Sequence, residues 1–343
     1  MSYRNIKFLN HNIGKNEPVF IIAEIGATHN GDVNQALSLI KTAKKVGAQA
    51  VKLQTVTPDY SYCEGTLSHD VFQDLSLSFE DMLKMKNYAE QLGLIIFSTP
   101  GDFPSLEIVQ ELDFPIMKIS SGLMTNKPLV EAVAKTGKPL IISSGMAYLD
   151  EIARTIRFAR EAGCSELAVL HCTSVYPCKD DLVNLSAIER MEKSLNLPVG
   201  YSDHTADELA CSLSVMKGAV IVEKHLALSQ ELAGPEKGTA CDPDQFEKMV
   251  ANVRRAEKMI GSGIKRPNEE EELGRKLHRR TIITVKKIPK DKVITSDDIS
   301  VMRGNLEHIG LTPELYETII GMRASIDIEK NEPLNIGMFK INK

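Results

Sequence analysis

The chain of 343 residues is 43% hydrophobic and 25% charged, with 41 Lys and Arg against 46 Asp and Glu, a net charge of −5. Such a composition is near the average of folded domains and excludes collagenous, disordered and disulfide-stapled classes. The acidic balance argues against a nucleic-acid partner, which requires a basic face. No apolar run approaches the ~18 residues of a membrane helix, and Met1 to Lys15 is largely polar with no apolar signal core. Six cysteines at 63, 164, 172, 178, 211 and 241 follow no Cys-x-x-Cys spacing, so free thiols in a reducing cytoplasm are expected. Trp is absent and aromatics are 5%, which weakens any stacking platform for bases or sugars.

Short apolar runs recur along the chain: Val19–Gly26, Ala50–Gln54, Leu94–Ser98, Ile116–Ser120, Leu140–Ser144, Leu167–His171, Val199–Ser202 and Val220–Lys224. Their Val and Ile content predicts buried parallel strands. Amphipathic stretches at Val33–Val46, Phe79–Leu92, Leu149–Ala162, Leu185–Leu195 and Pro243–Ile260 predict helices between and after them. Eightfold β/α alternation fits a (β/α)8 TIM barrel, and also a doubly wound sheet. The barrel is favoured because nearly every run ends in polar residues, among them Glu24, Lys52, Gln54, Thr99, Lys118, Ser121, Ser143, His171, Ser202, His204, Glu223 and His225. In a barrel those ends meet at one mouth, the usual place of an active site.

Residues 1–260 therefore read as the barrel. Gly261-Ser262-Gly263, Pro267 and Glu269–Glu272 read as a flexible, charged linker over 261–277. A small β-rich domain is expected over 278–343, near the lower size limit for an independent core.

Two constellations carry chemistry. His204 and His225 sit at the ends of neighbouring predicted strands, where two imidazoles can share a divalent Mn, Co, Fe or Zn ion completed by water. Asp203 and Glu223 would orient them; the alternative is two isolated hydrogen-bonded histidines. Lys52 and Lys118 are expected to be buried, and buried ammoniums need partners. A ligand carrying carboxylate and phosphate would serve, with hydroxyls from Thr99, Ser121, Ser143 and Ser202; so would ion pairs with Glu24 or Glu223. His29 reads as a turn residue, Cys172 as packing and Tyr176 as a loop wall.

The segments FIIAEIGATHNGD, AVKLQT, FSTP, KISSG, LIISSGM, LHCTSVYP, VGYSDHT and VIVEKHLAL, in this order, resemble the sialic acid synthase family, which condenses phosphoenolpyruvate with a 2-acetamido-hexose. From Arg279 onward the chain resembles that family's antifreeze-like SAF (β-clip) domain. The resemblance implies that His204 and His225 bind manganese, with Mg2+ or Co2+ as substitutes. It implies that Lys52, Thr99, Lys118, Ser121, Ser143 and Ser202 hold phosphoenolpyruvate, and that Glu24, Gln54 and Tyr176 surround the amino-sugar acceptor. Glu223 would lie near the reacting atoms, with proton transfer falling to Glu24 or Glu223. Arg303 matches an arginine that reaches the neighbouring subunit's barrel in a domain-swapped homodimer.

The chain departs from the family pattern at three places. Leu123 stands where an acidic residue is usual after KISSG, Glu236 replaces the aspartate of GPD, and Met302-Arg303-Gly304-Asn305 replaces KRPG. Loss of a carboxylate at Leu123 removes hydrogen bonds to hydroxyls and can redirect specificity. A 6-deoxy-2,4-diacetamido hexose then competes with N-acetylmannosamine as the expected acceptor. A metal-dependent aldolase or hydrolase on a barrel, and a non-catalytic carbohydrate- or ice-binding protein, remain rival readings.

Overall fold

Eight parallel strands close on themselves in the computed structural model, which describes residues 5–304 and 310–340. Preceding them is an antiparallel hairpin, β1 (Ile6–Phe8) and β2 (His11–Ile13). The barrel strands follow as β3 (Phe20–Glu24), β4 (Ala50–Thr55), β5 (Ile95–Pro100), β6 (Met117–Ile119), β7 (Leu140–Ser143), β8 (Leu167–Cys172), β9 (Val199–Asp203) and β10 (Ile221–His225). β10 pairs with both β9 and β3, which closes the ring and settles the barrel against the doubly wound sheet. Each strand overlaps one expected run, and the fold is a (β/α)8 TIM barrel.

The expected helices form at Val33–Lys45, Phe79–Gln91, Leu149–Glu161, Ser186–Leu195 and Pro243–Ile260. Asp32, Ser78 and Asp242 cap three of them by accepting backbone N–H groups. Shorter helices at Phe103–Glu111, Lys127–Ala134 and Leu209–Met216 complete the outer ring. The N-terminal hairpin is a correction to the polar reading of that segment. Ile6, Phe8 and Ile13 are buried in the barrel core, and the Phe8 ring meets Phe20 edge-on at 5.5 Å. Because Phe20 opens β3, this contact lies at the amino end of the barrel. No helix among the described residues is long and apolar enough to cross a membrane, and all six cysteines are free.

The chain divides into Met1–Gly261 and Ser262–Lys343. Part of the segment read as flexible linker is instead a helix, Glu269–His278. Asn268 accepts the Glu271 N–H while Glu271 reaches back to the Asn268 N–H, a reciprocal cap. Glu269 to Glu272, expected in a charged linker, are this helix's first turn, where negative charge favours the dipole.

In the second unit β11 (Arg280–Thr284) pairs antiparallel with β12 (Ile299–Arg303) over a core that includes Ile282, Ile288, Ile294, Ile328 and Phe339. Asp298, with its side chain fully buried, accepts from Lys292 at 2.5 Å, from Lys286 at 3.1 Å and from the Thr295 N–H and hydroxyl at 2.9 Å each. Burial alone would raise its pKa, but Lys292, the Thr295 N–H and Lys286 outweigh it and hold the carboxyl well below the usual range. Its stabilisation is therefore present above the unfolded value of ~3.9 and is lost as pH falls through the depressed folded value. Asp298→Asn is expected to lower the urea midpoint of this unit at pH 7, with the gap from wild type narrowing towards pH 2. A gap constant with pH would contradict this account.

Candidate active site

The carboxyl ends of the strands open on a cavity of ≈ 300 Å3. Lys52, Gln54, Lys118, Ser121, Ser143, Tyr176, Ser202, His204, Glu223 and His225 line it. Glu24 and Thr99 are buried at the ends of β3 and β5 behind that lining. Glu236 sits in a turn against His225, and Arg303, on the second unit, is exposed opposite Arg280 on β11.

Lys52 forms a buried ion pair with Glu24 Oε2, and its Nζ lies 3.8 Å from Glu223 Oε1. Lys118 Nζ reaches the same Glu223 oxygen at 3.2 Å, and the Ser202 hydroxyl donates to it at 3.0 Å. The ion-pair alternative weighed for the lysines is thus what the chain itself provides. Burial would raise the Glu223 pKa, but Lys118 and Lys52 overcome it and bring it down to about 2, so the group is a carboxylate at neutral pH. Burial lowers the Lys118 pKa; against the same penalty Glu223 and Glu24 raise that of Lys52. Thr99 Oγ1, Ser143 Oγ and Glu223 Oε2 are buried without a hydrogen-bond partner among the described residues. Orphaned buried polar atoms of this kind are costly unless a ligand or water meets them.

The orientation of the histidines corrects the expected partners. Asp203 faces away from the cavity, and Glu223 is bound to Lys118 and Ser202. His204 Nδ1 instead donates to the Thr173 carbonyl at 2.9 Å, and His225 Nδ1 donates to Glu236 Oε2 at 2.7 Å. With both Nδ1 positions committed, each Nε2 is the nitrogen left for a ligand. The rings lie 5.3 Å apart, and Tyr176 packs on His204 at 4.1 Å. This arrangement fits a shared divalent ion. Among the described residues no group of three or more His, Cys, Asp and Glu side chains is suited to a metal, so such an ion would rest on two imidazoles with oxygen donors from water or substrate.

Two further expectations change. Cys172 is not simple packing: its Sγ lines the cavity, 3.6 Å from Ser121 Oγ and 3.7 Å from His204 Nδ1. Leu123 packs half-buried on the barrel core, whereas its neighbours Ser121 and Gly122 line the cavity. Sequence reasoning also missed Met146 and Ser174, which sit in loops beyond the ends of β7 and β8.

A parallel barrel with buried Lys, Glu and His side chains converging at its carboxyl mouth defines a TIM-barrel enzyme. The chain belongs to the NeuB family, whose match spans residues 39–265, and an SAF domain match follows over 279–340. It is 34% identical over 339 residues to the N,N'-diacetyllegionaminic acid synthase of Legionella pneumophila, covering 94% of each chain. The pseudaminic acid synthase of Helicobacter pylori is 32% identical over 333 residues, 93% of this chain and 97% of that one. Among solved structures, the N-acetylneuraminic acid synthetase of Leptospira borgpetersenii superposes with a TM-score of 0.75 at 32% identity, covering 79% of this chain and 94% of that one.

Proposed function

We propose that this enzyme condenses phosphoenolpyruvate with an open-chain 2-acetamido-hexose to a nine-carbon 2-keto sugar acid, releasing phosphate by C–O cleavage. The observation that carries this reading is the Lys52–Lys118–Glu223 cluster with the orphaned Ser143 hydroxyl in one cavity with two imidazoles whose Nε2 atoms are left for a ligand. The lysines and hydroxyls would hold carboxylate and phosphate oxygens. C3 of phosphoenolpyruvate attacks the aldehyde carbon, and positive charge develops at C2. Glu223, held ionised, stabilises that charge rather than donating a proton, which leaves proton transfer to Glu24. Water adds at C2, its released proton balancing the alkoxide at the former aldehyde oxygen. The adduct collapses to the ketone as the C2–O bond to phosphate breaks and the C2 hydroxyl proton passes to the departing phosphate. His204 and His225 would hold a divalent ion, Mn2+ for preference, which when bound supplies Lewis acidity at the acceptor carbonyl.

The family resemblance extends the proposal to a homodimer in which Arg303 serves a second copy's barrel. The acceptor is N-acetylmannosamine or a 6-deoxy-2,4-diacetamido analogue. Phosphoenolpyruvate labelled with 18O at the bridging oxygen tests the reaction. Phosphate carrying the label, released only when both substrates are present, is the expected result. Pyruvate release, or phosphate without a sugar, would favour an aldolase or a hydrolase.

A further inference from the structure

The two imidazoles are held in different ways. His204 bonds the Thr173 carbonyl directly after β8, whereas His225 depends on Glu236, a side chain far out on the loop that follows β10. That loop is pinned at its base, where the Cys241 N–H donates to the His225 carbonyl and the Ala227 N–H to the Cys241 carbonyl, each at 2.9 Å. Beyond the base its fully buried apolar side chains are alanines. Ala233 and Ala240, with Ala227, form a small cluster of their own, and Leu232 is exposed. A loop with so little apolar anchorage takes its position from its polar tethers.

Those tethers come from the segment between β3 and the helix Val33–Lys45. Asn30 Nδ2 donates to the Leu232 carbonyl at 2.8 Å, and Gln35 Nε2 donates to the same oxygen at 3.2 Å. Among the described residues, these two amides and the His225–Glu236 pair are the hydrogen bonds that tie residues 228–240 to the rest of the chain. Shape reinforces the grip. Gly234, with φ of 57°, lies so near that a Cβ there would stand 2.2 Å from Asn30 Oδ1. The donors are themselves fixed. Asn30 has φ of 51°, a left-handed conformation that asparagine tolerates. Gln35 also donates to the Thr28 carbonyl at 2.6 Å, and the buried Thr28 hydroxyl donates to the Leu226 carbonyl at 2.7 Å. All of this lies along the seam where β3 and β10 close the barrel.

We infer that Asn30 and Gln35 are positioning residues for the metal pair: by gripping the Leu232 carbonyl they hold Glu236 against His225 Nδ1 and so aim His225 Nε2 into the cavity. The inference rests on the divalent ion proposed above at His204 and His225. Neither amide lines the reaction cavity, so its effect on the ion passes through Glu236. A hydrogen bond of 2.7 Å weakens steeply once its acceptor shifts, and the loop carries that acceptor.

The test is Mn2+ titrated into chelator-stripped enzyme, with the free ion read by electron paramagnetic resonance. Asn30→Gly keeps the left-handed backbone without strain, and Gln35→Ala keeps the helix, so the paired variant retains its fold. It should weaken Mn2+ binding by roughly tenfold, the scale of losing one or two partly exposed hydrogen bonds. Glu236→Ala, which removes the carboxylate itself, should weaken it by roughly 10–100-fold. In the Glu236→Ala background the paired change should shift the affinity by less than about twofold, because its route to His225 is gone. A merely structural role would give the same fold-loss in both backgrounds. That result, or an unchanged affinity in the paired variant, would overturn the positioning role while leaving the ion in place. Wild-type enzyme that takes up no Mn2+ would overturn both.

Discussion

Glu223→Gln is expected to lower kcat by roughly 10²–10⁴-fold, the range seen when a positioned charge-stabilising or proton-handling group is removed. The substitution is nearly isosteric and leaves a carbonyl oxygen to accept from Lys118 and Ser202, now at 3.2 and 3.0 Å. What disappears is the negative charge. Glu24 alone would then face the ammoniums of Lys52 and Lys118, and the positive charge developing at C2 would lose its nearest carboxylate. The pH dependence separates this role from acid catalysis. With its pKa brought down to about 2, Glu223 is ionised throughout any workable assay range, so its protonation should give no limb in the wild-type profile above pH 4. The same depression contributes stability that is complete above the unfolded value of ~4.3 and is lost only as pH falls through the folded value. Steady-state kinetics across pH 5–9 check the prediction. A variant within tenfold of wild type would remove Glu223 from the chemistry.

The barrel was legible because its strands are buried on both faces and read as unbroken Val- and Ile-rich runs, as in Phe20–Glu24 and Leu167–Cys172. Polar residues at the ends of those runs marked the mouth, and Lys52, Lys118, Ser202, Glu223, His204 and His225 do converge there. Residue identity did not disclose pairing. Asp203 and Glu223 lie within two residues of a histidine in sequence, yet strand alternation sends Asp203 outward, while Glu223 turns inward to the lysines. The groups that do orient the imidazoles, Thr173 O and Glu236, lie in loops after β8 and β10. Contacts of this kind depend on how loops return over the mouth, which periodicity cannot encode. Glu236 illustrates the point: read from the sequence as the replacement for the aspartate of GPD, it spends an oxygen on His225. The N-terminal hairpin escaped notice for another reason. The first of its three-residue strands buries only Ile6 and Phe8 and the second only Ile13, and so short a pattern is lost among polar neighbours.

Lys224→Met is expected to destabilise the barrel by about 3–5 kcal/mol, the usual consequence of breaking a buried ion pair from one side. Lys224 and Asp203 are register partners on β10 and β9, and both side chains are fully buried. They face outward from the barrel, so that Cys211 of the helix Leu209–Met216 also meets Asp203, at 3.3 Å. Lys224 Nζ binds Asp203 Oδ2 at 2.9 Å and the Thr205 carbonyl at 2.5 Å, while Asp203 accepts from Tyr201 and from the Thr205 N–H. At ~2–4 °C per kcal/mol for a domain of this order of size, Tm should fall by roughly 6–20 °C. Asp203→Asn combined with Lys224→Met should recover part of the loss, because the amide oxygen still accepts from Thr205 and no buried charge is left alone. Burial would lower the Lys224 pKa, but Asp203 raises it, so that contribution holds below the unfolded value of ~10.4 and fades as pH rises through the folded one. Burial would likewise raise the Asp203 pKa, but Lys224 and the Thr205 N–H lower it, so its contribution holds above ~3.9 and is lost as pH falls through the folded value. In the single variant Asp203 loses the ammonium that lowers its pKa, so its buried charge is relieved by protonation and the gap in Tm from wild type should narrow as pH falls from about 7 towards 5. Calorimetry over that range checks both the size and the narrowing. A shift under about 3 °C would mean that hydrophobic packing around β9 and β10, and not this ion pair, keeps Ser202 and His204 aligned with Glu223 and His225 across the cavity.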